Sequence, residues 1–545
     1  MKIALGQLNF TIGDLNGNME KMISVVHRAE RDGADLVVFS ELSICGYMPK
    51  DLLNYQSFII RCEKAIQQLA SHSKNIGILI GGPTRSKLKN GKALYNSALL
   101  LHQGEIVNQT NKTLLPTYDV FDEYRYFEAN SVFELVHFKG IKIALTICED
   151  LWNDEAPFLY PTTPMHHLSK LNPDIMINIS GSPYSYNHVD DRKERMVKNA
   201  VRYKLPLVYV NQVGANTDIL FDGGSMFINK SGEIAKELKY FEEDYCCIDW
   251  KKDQIYPDHS LDYHDEDIEL IHKALVMGIR DYFSKMGFKK ALFGSSGGID
   301  SAVIHALTAE ALGAENVWAI LMPSKYSSVG SVTDAVQLAK NIGSAHDTIP
   351  INDVITSLDS TLSPIFKERP HDVTEENMQA RTRGLLLMSL SNKFGNMVIN
   401  TSNKSETAVG YATLYGDMCG GLSPIGDLYK IQVYEMARYI NRNKEIIPES
   451  IINKAPSAEL RLDQKDSDSL PPYETLDAIL VHYIEEQKGW QEIAGLGFKE
   501  EIVRKVIKLV DRNEYKRFQA APILRISHRA FGVGRQIPLV AKFFN

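Results

Sequence analysis

The sequence predicts an α/β protein with two α/β domains, and three observations support this prediction. The chain has 545 residues, more than one ordinary domain holds. Short apolar, strand-like runs alternate with helical patterns in both halves. Between the halves, the acidic stretch KKDQIYPDHSLDYHDEDIEL begins at Lys251 and lacks regular apolar spacing. We therefore predict a domain at residues 1–250, a linker at 251–267 and a second domain at 268–545.

Composition excludes several classes of protein. The net charge of −8 disfavours general attraction to nucleic acid or to an anionic membrane surface. The six cysteines show no CxxC spacing, which favours a reducing compartment and argues against structural zinc. The N-terminal MKIALGQLNFTIGD reads as a first strand rather than a signal peptide, and no apolar run is long enough to span a membrane. We expect a cytoplasmic protein.

The elements of the first half follow from its apolar runs. The clearest predicted strands are KIALGQL, DLVVFSEL, IGILIGG, LYNSALLL, IKIALTIC, DIMINIS and PLVYVNQ. Helical patterns lie between several of them, such as MEKMISVVHRAERDG from Met19. Alternating strands and helices indicate a layered α/β domain.

The second half repeats this alternation. The predicted helix IELIHKALVMGIRDYFSKMG leads into strand KALF, and further strands lie in VWAILMP and NMVINTS. Helical stretches such as SVTDAVQLAKNIG and EENMQARTRGLLLMSLSNKFG separate them, which predicts a parallel, doubly wound sheet. In the segment LRLDQKDSDSLPPYETLD, from Leu460, we predict a polar loop that ends in two prolines, and the chain then finishes with helices.

The stretch GSSGGIDSA follows strand KALF and precedes a predicted helix. Its glycines and serines, together with the positive end of the helix, suit an anion such as phosphate. The loop lacks the lysine of an ordinary ATP-binding P-loop. Asp300 would repel phosphate unless Mg²⁺ lay between them. A turn of small residues that only caps a helix is the alternative reading.

The pattern SGGIDS, Ser296 to Ser301, resembles the pyrophosphatase loop of N-type ATP pyrophosphatases. The segments ENMQARTRG, TSNKSETAVGYATLYGD and SHRAFGVGRQIP are similar to those of NAD⁺ synthetases. This resemblance implies an adenine-nucleotide α-hydrolase-like, Rossmann-type domain that adenylates deamido-NAD⁺. It implies contacts of Asn377, Glu406 and Lys516 with deamido-NAD⁺, and Mg²⁺ near Asp300 and Glu406. It implies that ATP is bound by Gly294, Ser295, Ser296, Gly297, Gly298, Ile299, Asp300, Ser301 and Thr401.

Four more cations of the second half could face these anionic substrates: Arg381, Arg383, Lys404 and Lys430. Taken singly, each is more often a solvated surface residue.

In the first half, Glu41, Lys112 and Cys148 each follow or adjoin a predicted strand end, where α/β enzymes gather catalytic groups. Their chemistry suits amide hydrolysis. The Cys148 thiolate can attack a carbonyl carbon. Glu41 can move the protons, and Lys112 can stabilise the oxyanion. Alone, a cysteine after an apolar strand is usually a core residue, and a lone glutamate or lysine is usually solvated.

The contexts S-E-L, N-K-T-x-L-P and C-E-D resemble those of the nitrilase superfamily over about the first 250 residues. This resemblance implies a nitrilase-like αββα sandwich with a Glu-Lys-Cys triad, in which Glu123 and Tyr47 support the triad. The two halves together resemble the glutamine-dependent NAD⁺ synthetases. That family implies glutamine contacts at Tyr118, Ser182 and His188, where Lys or Arg is common at the last position. It also implies channelled ammonia and a homo-oligomer, either an octamer or a tetramer.

Three alternatives remain. A glutamine-dependent ATP pyrophosphatase ligase acting on another carboxylate would share the loop but lack ENMQARTRG and SETAVGYATLYGD. A tRNA-thiolating enzyme would need sulfur-carrying cysteines in the second half, where only Cys419 occurs. A catalytically decayed protein that only binds nucleotide would not be expected to keep both the triad and the loop.

Overall fold

The computed structural model describes residues 1–155, 158–186, 188–249, 267–462 and 464–542. The chain divides into two compact units, Met1–His264 and Asp265–Asn545. All but the last residue of the predicted linker at 251–267 lies outside the described residues. The domain boundaries at 250 and 268 therefore stay a prediction.

The first unit alternates strands and helices. Its strands are β1 (Lys2–Gln7), β2 (Leu36–Val38), β3 (Gly77–Arg85), β4 (Leu94–His102), β5 (Glu105–Asn111), β6 (Val136–Phe138), β7 (Ile141–Ile147), β8 (Ile175–Ser180), β9 (Leu207–Asn211), β10 (Val213–Asn216), β11 (Ile219–Asp222), β12 (Met226–Ile228), β13 (Ile234–Glu237) and β14 (Asp244–Asp249). Its helices are α1 (Leu15–Arg31), α2 (Gln56–Ala70), α3 (Pro164–Leu168) and α4 (His188–Tyr203).

Two six-stranded sheets form the centre of this unit, in the orders β14-β1-β2-β3-β4-β5 and β13-β12-β9-β8-β7-β6. Ile3 and Leu5 of β1 pack with Ile143 and Leu145 of β7 in the apolar core between the sheets. The alternate residue Ala4 belongs to a second core, which includes buried residues of α1 and α2. A third core joins β7, β8 and β9 to α3 and α4. The layer order is the expected αββα.

The central strands are buried on both faces of their sheets, which explains why the amino-acid sequence alone predicts them. In a sheet covered on both sides, every position of a strand is apolar rather than every second one. All six residues of β8 are buried, as are all five of β9. The carboxyl ends of β2, β7 and β8 lead into the loops that carry the first candidate site.

The second unit is helix-rich. Its strands are β15 (Ala291–Gly294), β16 (Val317–Leu321), β17 (Ala345–Thr348) and β18 (Met397–Val398). Its helices are α5 (Asp267–Met286), α6 (Ile299–Leu312), α7 (Val329–Ile342), α8 (Asn352–Phe366), α9 (Val373–Phe394), α10 (Lys404–Val409), α11 (Lys430–Ile440), α12 (Glu449–Asn453), α13 (Tyr473–Leu480), α14 (Trp490–Gly495), α15 (Glu500–Arg512) and α16 (Glu514–Arg517).

The strands form one parallel sheet in the order β17-β16-β15-β18. The order reverses between β15 and β18, and ligands of doubly wound sheets bind at such a reversal, outside the carboxyl ends of the strands. The glycine-rich loop leaves β15 at this position. The predicted parallel, doubly wound sheet is therefore confirmed.

The predicted polar loop from Leu460 ends at its two prolines, and α13 begins directly after them at Tyr473. Pro472 occupies the N-cap position, and the following residues bury Leu476 and Asp477. Within the described residues, no helix combines the length and apolar character needed to cross a membrane.

Two candidate active sites

The three predicted triad residues meet at the strand ends of the first unit. Glu41 lies in the turn after β2, Lys112 follows β5, and Cys148 opens a 3₁₀ turn, Cys148–Leu151, after β7. Glu41 and Lys112 are fully buried and Cys148 is 5% exposed. Charged side chains are almost never fully buried unless they are paired, so this burial indicates that the protein holds these groups together by specific contacts.

Lys112 joins the carboxylates of the site. Its Nζ lies 2.7 Å from Glu41 Oε1 and 2.7 Å from Glu123 Oε1. The Tyr47 hydroxyl donates to Glu123 Oε1 at 2.7 Å. Asn96 Nδ2 donates to Glu41 Oε1 at 2.6 Å, and the Gly181 N–H donates to Glu41 Oε2 at 2.9 Å. The structure therefore brings Glu123 and Tyr47 to the triad.

Opposing effects set the ionisation of Lys112 and Glu123. Burial lowers the pKa of Lys112, but the charges of Glu123 and Glu41 outweigh burial and raise that pKa well above its ordinary value. Burial raises the pKa of Glu123, against the lowering effect of Lys112. One ammonium thus holds two buried carboxylates.

Cys148 occupies a strained turn. Its φ of 43° lies in the left-handed region, which non-glycine residues adopt only where the surroundings impose it. Burial raises the pKa of its thiol well above the ordinary value; Glu41 raises it further, and Lys112 lowers it. The resting thiol is therefore neutral at pH 7, so it needs a base before it can attack.

Asp150 fixes the cysteine turn to the lysine segment. Its Oδ1 accepts from the backbone N–H groups of Thr113 and Leu114, at 3.0 and 2.9 Å. Its Oδ2 accepts from the Ile147 N–H at 3.1 Å. Both segments that carry a reactive group thus share one buried carboxylate.

The expected glutamine contacts are placed as follows. The Tyr118 hydroxyl donates to both carboxylate oxygens of Glu149, each at 3.0 Å, and Tyr118 is 43% exposed. The Ser182 N–H donates to Asn211 Oδ1 at 2.9 Å, directly after the Gly181 contact with Glu41. The His188 ring stacks on Trp152, with 4.9 Å between ring centroids. All three lie on segments that adjoin the cysteine turn or contact Glu41.

Sequence reasoning missed four polar residues of this site: Asn96, Glu149, Asp150 and Tyr160. Two of them stand in the C-E-D context, which drew attention to the cysteine alone. Tyr160 also donates to Glu149, at 3.1 Å. Burial raises the pKa of Glu149 above its ordinary value. Asn96 lies within β4, where the sequence offers no signal for a functional amide.

In the second unit, a cavity of about 280 Å³ opens at the carboxyl ends of β15 and β16. Predicted nucleotide-site residues that line it are Gly294, Ser295, Ser296, Gly298, Ile299, Asp300, Ser301, Thr401 and Glu406. Gly297 lies in the same loop with φ 76°, and a Cβ there would stand 2.2 Å from Ser331 O. Only glycine fits this close approach of the loop to helix α7.

A lysine lies between the two predicted metal ligands. Lys430 Nζ is 2.6 Å from Asp300 Oδ2 and 2.8 Å from Glu406 Oε1. Asn403 Nδ2 donates to Asp300 Oδ1 at 2.7 Å. Burial raises the pKa of Glu406 to about 7, against the effect of Lys430. Asp300 and Glu406 thus face one another across an ammonium.

The donor set of this cavity fits Mg²⁺ only together with phosphate. Among the described residues, no group of three or more His, Cys, Asp or Glu could hold a metal ion. Mg²⁺ is usually bound through one or two carboxylates plus substrate phosphates, and Asp300 and Glu406 supply two on the cavity wall.

Two residues predicted to bind deamido-NAD⁺ hold a loop of the cavity wall instead of lining the cavity. Lys516 Nζ donates to the carbonyl oxygens of Gly410 and Ala412, both at 2.8 Å. Asn377 Oδ1 accepts from the Thr413 hydroxyl at 2.8 Å. Ala412 lines the cavity. In this structure both side chains therefore support the segment between Gly410 and Thr413.

The four additional cations differ in position. Arg383 and Lys430 line the cavity. Arg381 is exposed, and its Nε donates to Leu414 O at 3.2 Å. Lys404 is fully buried, with its Nζ 2.9 Å from both Asp427 Oδ1 and Glu485 Oε1.

The C-terminal segment SHRAFGVGRQIP completes the Lys404 cluster. Ser527 Oγ accepts from Lys404 Nζ at 2.8 Å, and Asp427 accepts from the N–H groups of Ile526 and Ser527. The cluster therefore fixes the tail to the start of α10, the helix that carries Glu406.

Comparison with known proteins gives the same division of the chain. A carbon-nitrogen hydrolase family model matches residues 2–258 and an NAD synthase family model matches residues 271–520. A glutamine-dependent NAD(+) synthetase of Synechocystis sp. is 46% identical over 550 residues, which cover 99% of this chain and 99% of that protein. One from Thermotoga maritima is 42% identical, with 100% and 99% covered.

A solved structure is also similar over the whole chain. It is the glutamine-dependent NAD⁺ synthetase from Acinetobacter baumannii in complex with adenosine diphosphate. The TM-score is 0.79 at 41% sequence identity, and the match covers 99% of this chain and 98% of that one.

Proposed function

Because the chain belongs to the glutamine-dependent NAD⁺ synthetases, as its whole-length relatives show, we propose a role in that reaction for each site residue. The resemblance drawn from the sequence is thereby confirmed. The protein is a ligase that converts deamido-NAD⁺ to NAD⁺, with glutamine as nitrogen donor and ATP as the source of energy. The alternative of a ligase acting on another carboxylate is not favoured.

At the first site, Glu41 takes the proton of Cys148, and the thiolate attacks the side-chain amide carbon of glutamine. The raised pKa of the thiol supports this role for Glu41, since the resting cysteine is neutral. Lys112 stabilises the oxyanion; Glu123 holds Lys112, and the Tyr47 hydroxyl holds Glu123. Glu41 returns its proton to departing ammonia, then activates the water that hydrolyses the γ-glutamyl thioester.

Glutamine would be held at the edge of this site by Tyr118, Ser182 and His188. His188 stands where the family commonly has Lys or Arg, so its recognition of the glutamine carboxylate depends on its protonation. Glu149, between Tyr118 and Tyr160, is suited to the glutamine ammonium group.

At the second site, the glycine-rich loop and the start of α6 bind the phosphates of ATP, and Thr401 contacts the nucleotide. The nicotinate carboxylate attacks the α-phosphorus and pyrophosphate leaves; ammonia then displaces AMP. Mg²⁺, held by Asp300, Glu406 and phosphate oxygens, would supply positive charge against the leaving pyrophosphate. Asn377 and Lys516 would act on deamido-NAD⁺ through the segment that they support.

We also propose that ammonia passes between the sites without release to solvent, that the chain forms a homo-oligomer, and that it works in the cytoplasm. In water at pH 7 ammonia is mostly ammonium, which has no lone pair for attack. An enclosed passage would keep it neutral. All six cysteines are free, which supports a reducing compartment.

The observation that carries the proposal is the buried Glu41–Lys112–Glu123 cluster beside Cys148 in a chain that also has a nucleotide-type loop and cavity. The test is NAD⁺ formation from deamido-NAD⁺, ATP and Mg²⁺ by wild type and Cys148→Ala, with glutamine or ammonium chloride. We expect Cys148→Ala to lose the glutamine-supported rate and keep the ammonium-supported rate. Equal loss of both rates would contradict separate sites.

A further inference from the structure

The first unit contains a fully buried ion pair that takes no part in the proposed chemistry at Cys148. Arg192 of α4 donates through both terminal nitrogens to Asp222, at 2.9 Å to Oδ1 and at 2.5 Å to Oδ2. Both side chains are 0% exposed. A buried ion pair often stabilises a fold no more than well-packed apolar residues of the same volume do. Stability alone therefore does not explain the charges at these two positions.

Asp222 is linked to Ser182 through the side chain of Asn211. Asn211 Nδ2 lies 3.5 Å from Asp222 Oδ1, and it donates to Gly223 O, in the next residue of the chain, at 3.1 Å. The same nitrogen donates to Ser182 O at 3.1 Å, and Asn211 Oδ1 accepts from the Ser182 N–H at 2.9 Å. Both backbone polar groups of Ser182, an expected glutamine contact, are therefore fixed by this amide.

Arg192 links the same carboxylate to the start of α4. This helix begins at His188, and Arg192 stands four residues later. Residues four apart lie on the same side of a helix, one turn from each other. The bidentate contact of Arg192 with Asp222 therefore holds the turn that carries His188, a second expected glutamine contact.

Glu41 depends less on Asp222 than the glutamine contacts do. Its carboxylate accepts from the Gly181 N–H at 2.9 Å, in the residue before the segment that Asn211 holds. It also accepts from Asn96 at 2.6 Å and lies 2.7 Å from Lys112 Nζ. These two contacts come from β4 and from the segment after β5, so they would hold the base if the Asp222 contacts were weakened.

We propose that the ion pair of Arg192 and Asp222 positions the residues that bind glutamine. Through Asn211 it fixes Ser182, and through the first turn of α4 it fixes His188. It thereby sets the spacing of groups that recognise the amino-acid end of the substrate. The inference rests on the proposed function, since it concerns the binding of glutamine at the same site.

The test is the steady-state rate of glutamate formation by the full-length protein against glutamine concentration, with deamido-NAD⁺, ATP and MgCl₂ present. Arg192→Lys keeps the positive charge but loses the two-point contact with the carboxylate. We expect its KM for glutamine to rise by at least about tenfold and its kcat to stay within about threefold, because a loss of uniform substrate binding raises KM alone. Asn211→Ala should give the same result, since it releases Ser182. A glutamine KM within about threefold of wild type in both variants would overturn the inference.

Lys193→Met is the matched control for a general loosening of α4. Lys193 is the residue after Arg192, and its Nζ lies 2.9 Å from Glu237 Oε1, with side chains 19% and 7% exposed. Glu237 lies on β13 and accepts from the Tyr240 hydroxyl. We expect Lys193→Met to lower the melting temperature but to keep the glutamine KM within about threefold of wild type. Equal rises of KM in Lys193→Met and Arg192→Lys would overturn the inference.

Alkylation of Cys148 by iodoacetamide at pH 7 separates substrate positioning from support of the reactive groups. Iodoacetamide has no amino-acid end, so its reaction depends on the thiol and its base but not on the glutamine contacts. We expect Arg192→Lys to be alkylated at a rate within about threefold of wild type. A fall in this rate as large as the rise in KM would mean that the pair supports the reactive groups instead, and would overturn the inference.

A double variant covers the case in which Arg192→Lys is poorly folded. Arg192→Met combined with Asp222→Asn leaves no buried charge unpaired, and we expect the same rise in the glutamine KM. Absence of glutamate formation from glutamine by the wild type would contradict the proposed function itself. Wild-type glutamate formation with an unaltered glutamine KM in the variants would contradict this inference alone.

Discussion

At the scale of single residues, Cys148 lies between charges that act on its thiol in opposite directions. Glu41 raises the pKa of the thiol and Lys112 lowers it, on top of the larger effect of burial. The two substitutions Glu41→Gln and Lys112→Met should therefore move the thiol pKa in opposite directions, although both should abolish glutamine hydrolysis.

The measurement is the rate of Cys148 alkylation by iodoacetamide against pH, followed by mass spectrometry. The thiolate is the reacting form, so alkylation of the wild type should keep rising from pH 7 to 9. The rate at pH 7 should be higher in Glu41→Gln and lower in Lys112→Met. Cys148→Ser identifies the signal of the other cysteines. Faster alkylation in Lys112→Met would contradict this arrangement of charges around the thiol.

The sequence predicted the reactive groups of this site better than the groups that hold them. Glu41, Lys112 and Cys148 stand at predicted strand ends, and chemistry explains why those types occur together. Asn96 contacts Glu41 from within β4, and Asp150 accepts from Thr113, 37 residues earlier in the chain. Such contacts depend on how strands are ordered in a sheet, which spacing along one chain does not reveal.

At the scale of elements, Asp150 joins the cysteine turn to the segment after β5 through three backbone N–H groups. Asp150→Asn offers one carbonyl oxygen in place of two carboxylate oxygens, so one side of this junction must lose its acceptor. A buried N–H left unpaired costs about 1–3 kcal/mol. We expect glutamine-supported NAD⁺ formation to fall by at least about tenfold, with the ammonium-supported rate unchanged.

Initial rates with the two nitrogen sources check this prediction on one protein preparation. Asp14→Asn is the matched control, because Asp14 caps α1 and asparagine caps a helix equally well. An Asp150→Asn enzyme with a normal glutamine-supported rate would show that the junction does not position the thiol.

In the second unit, the Lys404 cluster joins separate segments as Asp150 does in the first unit. Lys404 and Asp427 are fully buried, and Glu485 nearly so. Lys404→Met leaves two carboxylates without their cation, and breaking a buried pair in this way costs about 3–5 kcal/mol. We expect a clear fall in the melting temperature of the second unit. We also expect Mg²⁺ to raise this melting temperature less than it does in the wild type, because α10 carries Glu406.

Differential scanning calorimetry of the full chain measures this effect in the transition that ATP shifts upward, since a ligand stabilises the unit that binds it. Lys273→Met is the control: Lys273 pairs with Glu269 one turn earlier on α5, with side chains 36% and 32% exposed, and such a helical pair contributes about 0.3–0.5 kcal/mol. Similar melting temperatures for Lys404→Met and Lys273→Met would contradict the role of the cluster.

At the scale of the whole molecule, the α/β class of both units followed from the apolar runs, because strands buried on both faces are recognisable without knowledge of their neighbours. The αββα order of the first unit followed instead from its resemblance to the nitrilase superfamily. The roles of Lys404 and Lys516 did not follow from such apolar runs. A lysine beside a nucleotide-type segment looks the same in sequence whether it faces the substrate or holds a loop.

Two active centres in one chain have a consequence that can be measured on the intact enzyme. Below the pKa of ammonium, the neutral fraction of added ammonia rises about tenfold per pH unit. The ammonium-supported rate should therefore rise steeply with pH. Ammonia released from glutamine is formed neutral, and an enclosed passage would deliver it before it takes up a proton. The glutamine-supported rate should lack that steep slope.

The stoichiometry must agree with the pH dependence. With glutamine, ATP and deamido-NAD⁺ all present, we expect the ratio of glutamate to NAD⁺ formed to stay close to unity between pH 6.5 and 8.5 (roughly the range where ammonium predominates). Cys148→Ala with ammonium chloride gives the slope for ammonia taken from solution. If glutamate ran far ahead of NAD⁺ and both nitrogen sources gave the same slope, ammonia would be passing through bulk water. Joining the two units in one chain would then raise only the local concentration of ammonia, and it would not preserve its neutral form.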